Sequence, residues 1–156
     1  MFTIKTDDLS HPAVQALVAY HISGMLEQSP PESSHALDVP KLRDPAVTFW
    51  SAWTGEQLAG IGALKLLDDE HGELKSMRTA PDFLRRGVGN QLLVHILQVA
   101  HGKGLKRLSL ETGTQPGFAA CHLLYRKHGF VDCEPFADYQ PDPNSRFMTL
   151  DLSKKG

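Results

Sequence analysis

The residues that most directly suggest a chemistry form a short basic segment with two glycines, Arg85-Arg86-Gly87-Val88-Gly89-Asn90. Apolar residues recur at helical spacing directly after it, so the segment is predicted to be a turn that opens a helix. Glycine lets the main chain approach a ligand closely, and a helix N-terminus presents unpaired N–H groups and the positive end of the helix dipole. Two arginines add forked hydrogen-bond donors. The segment therefore predicts a binding site for a phosphate or pyrophosphate.

Two common classes of phosphate-binding loop fit this segment poorly. A P-loop requires a lysine and a hydroxyl residue after its last glycine, and Asn90 stands there instead. The same absence disfavours phosphotransfer from ATP. A dinucleotide-binding loop requires a third small residue where Leu92 stands and an acidic residue about 20 positions further on, and residues 101–110 contain none.

Length and composition limit the setting of this site. The chain has 156 residues, of which 41% are hydrophobic, which predicts one globular domain spanning 1–156. A net charge of -2 argues against a nucleic-acid partner. Two cysteines without a C-x-x-C pattern, no signal-like start and no apolar run of roughly 18 residues predict a cytoplasmic protein with no membrane partner.

Strands and helices must position the basic segment, and their pattern predicts an α/β (α+β) fold. Strands are predicted over 2–6, 47–54, 58–67, 72–79, 106–112, from 130, and over 146–152. Helices are predicted over 11–27 with Ser10 as N-cap, briefly through Lys41 and Leu42, and over 89–103 and 117–128. This order predicts a mixed, mostly antiparallel central sheet of about six to seven strands flanked by about four helices, with one right-handed crossover.

Alternation along the predicted strand 72–79 assigns its side chains to two faces. Leu74, Ser76 and Arg78 are expected on one face, and the other face is expected to carry Glu73, Lys75, Met77 and Thr79.

A second motif, Leu124-Tyr125-Arg126-Lys127-His128-Gly129-Phe130, follows the glycine turn along the chain, and the two motifs together resemble the GNAT superfamily of acetyl-CoA-dependent N-acyltransferases. The glycine turn resembles the family's Arg/Gln-x-x-Gly-x-Gly/Ala signature after the fourth strand. The second motif is similar to a family helix ending in Leu-Tyr-x-x-x-Gly-Phe. The resemblance covers essentially the whole chain and implies a single GNAT-like domain with acetyl-CoA as donor.

Further segments resemble a bacterial subgroup of indoleacetate acetyltransferase-like proteins. The segments that carry this resemblance are Ser29–Ser33, Thr48–Trp53, Lys75–Thr79, Phe136–Tyr139 and Asp142–Ser145. Indoleacetate itself offers a carboxylate and a weakly nucleophilic ring nitrogen, so the subgroup label leaves the acceptor open.

The resemblance implies which residues bind the donor. The backbone of Met77, Arg78 and Thr79 would bond the pantetheine arm and polarise the thioester carbonyl. The pyrophosphate site would comprise Leu84, Arg85, Arg86, Gly87, Val88, Gly89 and Asn90. The chain departs from the family at Leu84, where the first Arg/Gln is expected, and at Phe118, where an asparagine often precedes the tyrosine by seven residues.

The resemblance and the chemistry of acyl transfer together indicate three catalytic candidates. Tyr125 is the candidate acid, because a phenol with a pKa of about 10 can protonate a departing thiolate. Glu73 is the candidate base by its position on the strand, although Lys75 on the same face offers an ion pair instead. Glu111 is the rival base, acting directly or through a water, and its alternative is a solvated carboxylate at a strand end.

Neither metal nor a defined acceptor is predicted. His95 with His101, and His122 with His128, are six residues apart, which places them on different helix faces, so no metal site is expected. Phe136 and Tyr139 would either line an acceptor pocket or simply pack. The expected partner is a small-molecule or peptide amine, with a homodimer by family analogy. The alternative function is a non-catalytic acyl-CoA-binding sensor.

Overall fold

One mixed sheet organises the part of the chain that the structure describes. The computed structural model describes residues 2–19, 45–113, 119–137, 139–141, 143 and 145–152. Seven strands of that part form a sheet in the order β1-β2-β3-β4-β5-β7-β6. They are β1 (Thr3–Thr6), β2 (Val47–Thr54), β3 (Gln57–Leu66), β4 (His71–Thr79), β5 (Arg107–Gly113), β6 (Val131–Asp132) and β7 (Ser145–Asp151).

Three helices in the described residues accompany the sheet. They are α1, helical over residues 12–19, α2 (Val88–Gly102) and α3 (Ala119–Lys127), and a 3-10 turn at Pro81–Phe83 precedes α2. The α/β class and the mostly antiparallel sheet predicted from the sequence are confirmed. The predicted helix through Lys41 and Leu42, the end of the first predicted helix, and residues 117–118 lie outside the described residues.

The sheet parts between its two central strands. Its neighbouring strands are antiparallel except β4 and β5, which pair in parallel over His71–Leu74 and Arg107–Leu110. Beyond Leu74 and Leu110, β4 remains paired only with β3 and β5 only with β7 among the described strands. The far halves of β4 and β5 therefore border an opening, which we call the splay.

Apolar side chains bury both faces of the sheet. The larger cluster, which joins α2 and α3 to one face, contains Trp50, Leu74, Leu92, Ile96 and Tyr125 among its buried members. A smaller cluster joins α1 to the other face through Leu9, Val14, Leu17, Val18, Phe49, Trp53, Ile61 and Ala63. The larger cluster thus holds α2 and α3 on the same face of the sheet.

A bulge in β4 overturns the predicted placement of Met77. Ile61 pairs with Arg78 but Ala63 pairs with Lys75, so two residues of β4 lie opposite Gly62 alone. Met77 packs against the cluster that contains Leu74, and its Sδ would lie 2.8 Å from a Cβ placed on Gly62. The prediction that Met77 shares a face with Glu73 and Lys75 is wrong, because one extra residue reverses the alternation beyond it.

The start of α1 also differs from the prediction. Ser10 does not cap the helix, since its hydroxyl donates to Asp8 Oδ1 (2.6 Å). His11 takes that place, because its Nδ1 accepts the N–H of Ala13 (3.0 Å), and Pro12 occupies the first helical position. Proline suits that position because its missing N–H would have had no partner inside the helix.

Candidate functional site

The basic glycine turn opens α2 with unsatisfied backbone donors. Gly87 adopts a left-handed conformation (φ 83°) and no side chain caps the helix. The first bond of this helix runs from Gln91 N–H to Gly87 O (3.0 Å). The N–H groups of Val88, Gly89 and Asn90 therefore have no partner within α2, which is the arrangement that binds anions at helix N-termini.

The side chains around this turn supply positive charge on the surface. Arg85 and Arg86 are exposed, and the Arg86 guanidinium lies 5.4 Å from the centre of the Phe83 ring. Arg85 also has a positive φ of 66°, which is uncommon for a residue with a side chain. Leu84 is 60% exposed and contributes no polar group.

Two contacts tie the turn to the rest of the site. A Cβ on Gly60 of β3 would lie 2.7 Å from Val88 Cγ1, so glycine is needed for α2 to pack this closely. At the other side, His128, just after α3, bonds Asn90 Oδ1 through Nε2 (2.7 Å). The side-chain oxygen of Asn90 thus already has a partner, and the backbone N–H of Asn90 remains a donor toward an anion.

The backbone of β4 presents groups to the splay that have no partner among the described strands. Ala80 N–H bonds Ala59 O (2.8 Å), which makes Ile61 and Arg78 the next hydrogen-bonded pair of the antiparallel ladder. The N–H and C=O of Arg78 therefore point to β3. Because peptide units are planar, the C=O of Met77 and both backbone groups of Thr79 point to the splay. Such an edge can pair with the amides of an extended ligand.

Tyr125 lies on α3 within the larger core cluster. It is 6% exposed, its ring centre is 5.7 Å from that of Phe130, and its hydroxyl has no hydrogen-bond partner among the described residues. Burial raises the pKa of this hydroxyl well above its ordinary value, the Cys121 thiol adds to the rise, and the Arg78 charge opposes it. The group is therefore a neutral donor at physiological pH.

Glu73 is enclosed by two donors. It is 2% exposed, and its Oε2 accepts Lys75 Nζ (2.8 Å) and the Tyr139 hydroxyl. Lys75 Nζ also donates to the Tyr139 oxygen (3.0 Å). The ion pair that the sequence offered as the alternative to a base is present in the structure.

Glu111 stands where the two central strands part. It is the first residue of β5 beyond the β4 pairing, and it pairs with Phe147 of β7. It is half-buried, and its Oε2 accepts the Ser145 hydroxyl (2.8 Å). Glu111 therefore lies at the rim of the splay, whereas Glu73 lies one step back within the paired segment.

Sequence reasoning missed the contacts that Tyr139 and His128 make. The Tyr139–Glu73 and His128–Asn90 contacts join residues 66 and 38 positions apart, and no local pattern reports such pairs. Phe118, the remaining predicted donor contact, lies outside the described residues.

Within the described residues, no group of three or more His, Cys, Asp or Glu is placed to hold a metal ion. Over the same ranges, no helix has the length and apolar character needed to cross a membrane.

Comparison with known proteins identifies relatives over nearly the full length. The chain is 80% identical over 152 residues to YedL, an uncharacterized N-acetyltransferase of Escherichia coli (strain K12), covering 97% of this chain and 96% of the relative. It is 56% identical over 149 residues to YsnE, an uncharacterized N-acetyltransferase of Bacillus subtilis (strain 168), covering 96% and 99%. An IAA acetyltransferase of Azospirillum brasilense is 39% identical over 124 residues, covering 79% and 80%.

Solved structures share the fold. A Klebsiella pneumoniae protein provisionally assigned as an acyl-CoA N-acyltransferase superposes with a TM-score of 0.78 at 27% identity, covering 97% of this chain and 98% of that one. A GNAT family acetyltransferase of Elizabethkingia anophelis with acetyl-CoA bound gives 0.68 at 20% identity, with the same coverage. The family model described as acetyltransferase (GNAT) family matches residues 14–130. The chain therefore belongs to the GNAT family and is an acyltransferase.

Proposed function

We propose that this protein transfers an acetyl group from acetyl-CoA to an amine of a small molecule or peptide, directly within a ternary complex. The observation that carries the proposal is the splay, with unpaired backbone along β4, the anion-binding turn at its end and Tyr125 beside it. The proposal rests on the family's chemistry and on the fit of these groups to the donor.

The donor fits the groups along the splay. The amides of Val88, Gly89 and Asn90, with the charges of Arg85 and Arg86, suit a pyrophosphate. Leu84 replaces the family's polar residue, so recognition at that position is assigned to the backbone. The amides of a pantetheine arm match the unpaired groups of Met77 and Thr79, in the manner of a strand added to a sheet edge.

Transfer requires two proton movements, which we assign to Glu111 and Tyr125. The amine nitrogen attacks the thioester carbonyl carbon, the new C–N bond forms and the C–S bond breaks. The nitrogen loses its proton to Glu111, directly or through a water, and the thiolate takes one from Tyr125. Because burial raises the pKa of Tyr125, this donation is favourable only while the thiolate is shielded from water as well.

Glu111 is preferred to Glu73 as the base. One oxygen of Glu73 already holds an ammonium and a phenol, and the side chain is nearly inaccessible. Such a carboxylate has less capacity to accept the proton of an incoming amine. Glu111 is half-buried and borders the splay, where the acceptor would meet the thioester.

We also propose that the protein is a single-domain, cytoplasmic enzyme that forms a homodimer. One sheet contains strands from Thr3 to Asp151, which suits one domain. Cys121 and Cys133 are both free thiols, which suits a reducing compartment. The dimer is carried over from the family, and sedimentation of the purified protein would test it.

Calorimetry and a thiol-release assay test the transfer proposal. Acetyl-CoA should bind, and at least one of phenethylamine, tryptamine, spermidine and an alanyl peptide should be acetylated. Glu111→Gln should lower kcat/KM by about 10²- to 10⁴-fold with acetyl-CoA binding retained. Glu134→Gln, at an exposed position, is the matched control and should change nothing.

Two results would contradict the proposal in different ways. Absence of acetyl-CoA binding, with Gly87→Glu identical to wild type, would exclude the donor site. Binding without turnover of any amine would favour the non-catalytic acyl-CoA sensor.

A further inference from the structure

Glu73, Lys75 and Tyr139 form a partly buried polar cluster, which we call the anchor cluster. Each member contacts the other two, because Lys75 Nζ donates to Glu73 Oε2 (2.8 Å) and to the Tyr139 oxygen (3.0 Å), and the Tyr139 hydroxyl donates to Glu73. The side chains of Lys75 and Glu73 are 8% and 3% exposed. One cation and one anion balance, so the cluster is neutral as a whole.

The anchor cluster connects two separate parts of the chain. Glu73 and Lys75 belong to β4, whereas Tyr139 belongs to residues 133–141, which lead from β6 toward β7. Rings of Phe136 and Phe147 lie 5.1 and 5.5 Å from the Tyr139 ring, and Lys75 Nζ lies 5.6 Å from it. The hydroxyl is fixed by charge and the ring by aromatic packing, so Tyr139 has little freedom to turn.

Tyr139 is also a neighbour of Glu111. Phe147, which contacts the Tyr139 ring, pairs with Glu111 across β5 and β7. The charge of Glu111 is among the causes that raise the pKa of the Tyr139 hydroxyl, after burial and the charge and hydrogen bond of Glu73. The Tyr139 ring and Glu111 therefore share Phe147 as a neighbour, and Glu111 and Phe147, as a cross-strand pair, lie on the same face of the sheet.

We propose that Tyr139 is a positioning residue for the acceptor amine: Glu73 and Lys75 hold its hydroxyl, and its ring forms the wall that places the amine against Glu111. This inference rests on the proposed function. It gives Glu73, which the sequence suggested as a base, the task of holding Tyr139. An aromatic face beside a carboxylate favours an amine that arrives as an ammonium ion, through cation–π attraction, and this ion loses a first proton to solvent water before its nitrogen attacks.

A spectroscopic measurement tests the anchor cluster without turnover. The chain has three tyrosines, so a ¹³Cζ-tyrosine NMR titration can be assigned with Tyr139→Phe and Tyr125→Phe. The Tyr139 signal should remain that of the neutral phenol above the pH at which an ordinary tyrosine ionises, because burial and the Glu73 charge raise its pKa. Glu73→Gln should bring its ionisation to lower pH, since the acceptor charge is removed. An ordinary titration of Tyr139 in the wild type would overturn the proposal.

Kinetics test the positioning role. With phenethylamine, tryptamine and spermidine as acceptors, Tyr139→Phe should raise the acceptor KM by about tenfold, as expected for one lost bond to a charged group. The KM for acetyl-CoA should not change. Glu73→Gln should act in the same direction and keep the acid limb of the pH–rate profile, which Glu111→Gln should abolish. Lys75→Met, which removes the other group that holds the Tyr139 hydroxyl, should also raise the acceptor KM, and Lys106→Met, in an exposed ion pair with Glu70, is its control.

The remaining outcomes decide against the proposal. Loss of the acid limb in Glu73→Gln would make Glu73 the base, and an unchanged acceptor KM in Tyr139→Phe would remove the positioning role. If the wild type acetylates none of the amines, the proposed function fails and the acceptor role fails with it, even where NMR upholds the anchor cluster.

Discussion

The hydroxyl of Tyr125 combines burial with an absence of hydrogen-bond partners among the described residues, and this combination defines its chemistry. A buried hydroxyl without a partner costs free energy in the folded state. A ligand that accepts a hydrogen bond at this point would recover that cost, as the developing thiolate of the proposed transfer would. Its raised pKa keeps the proton on the phenol until that charge develops.

Tyr125→Phe tests this role because it removes the oxygen and keeps the ring against Phe130. We expect kcat to fall by about 10²- to 10⁴-fold, with calorimetric affinity for acetyl-CoA unchanged. Since the pKa is raised, the wild-type rate should show no loss below about pH 10 that depends on this tyrosine. An alkaline limb near neutrality that disappears in the variant would contradict the assignment.

At the scale of single residues, the sequence predicted the features that lie within short local motifs. The glycine turn and Tyr125 lie within short patterns, and the structure places the first at the start of α2 and the second on α3, within the larger core cluster. The ion pair between Glu73 and Lys75 was predicted only as the alternative to a role of Glu73 as base, because Lys75 is two residues away on the same strand. The part of Tyr139 could not be predicted, since its partners lie 64 and 66 positions earlier and meet it only through the sheet.

The turn that opens α2 depends on one backbone conformation, at Gly87. A Cβ there would meet no atom within 4 Å, so a substitution is strained only by the positive φ of 83°. Gly87→Ala should therefore lower the free energy of unfolding by about 1–2 kcal/mol, as measured by urea denaturation. Gly102→Ala also meets no atom but has no positive φ, and should raise it by about 0.5–1 kcal/mol. Equal effects would show that the conformation is not needed.

The histidine that joins the end of α3 to the start of α2, His128, makes the stability of the fold depend on pH. Burial lowers the pKa of His128, and also that of His71 on β4. A histidine with a folded pKa below its unfolded value stabilises the fold fully above the unfolded pKa, and this stabilisation is lost as the pH falls. The urea midpoint should therefore drop between pH 7.5 and 5.5.

Histidine substitutions test which residues cause the slope of the urea midpoint against pH. His128→Gln should flatten it, and His101→Gln at an exposed position should not. A slope unchanged by His128→Gln and His71→Gln together would contradict this origin.

Element boundaries followed from sequence where alternation and turn residues agree. The strand Val47–Thr54 was predicted with the bounds observed, and β3 and β4 within a residue. The face of Met77 could not be predicted, because the bulge opposite Gly62 arises from pairing with β3. The cap of α1 was misplaced because Ser10 bonds Asp8 instead of the helix.

Binding of the donor should raise the thermal stability of the whole molecule. At a concentration about 100 times its dissociation constant, a ligand stabilises the native state by about 2.7 kcal/mol, which for a chain of this size raises Tm by about 5–10 °C. Differential scanning fluorimetry with acetyl-CoA measures this. Gly87→Glu, which adds a carboxylate to the anion site, should remove the shift, and an equal shift in both proteins would place the donor elsewhere.

The parallel ladder between β4 and β5 is four residues long, and it joins two antiparallel half-sheets, β1–β4 and β5–β7. The Thr79 amide points away from β3, so in the free protein we expect it to exchange its hydrogen with solvent readily. A donor bound along this edge, as proposed, would supply the partner that β5 does not. The donor substrate would then also connect the two half-sheets, and each catalytic cycle would remove this connection once and form it again.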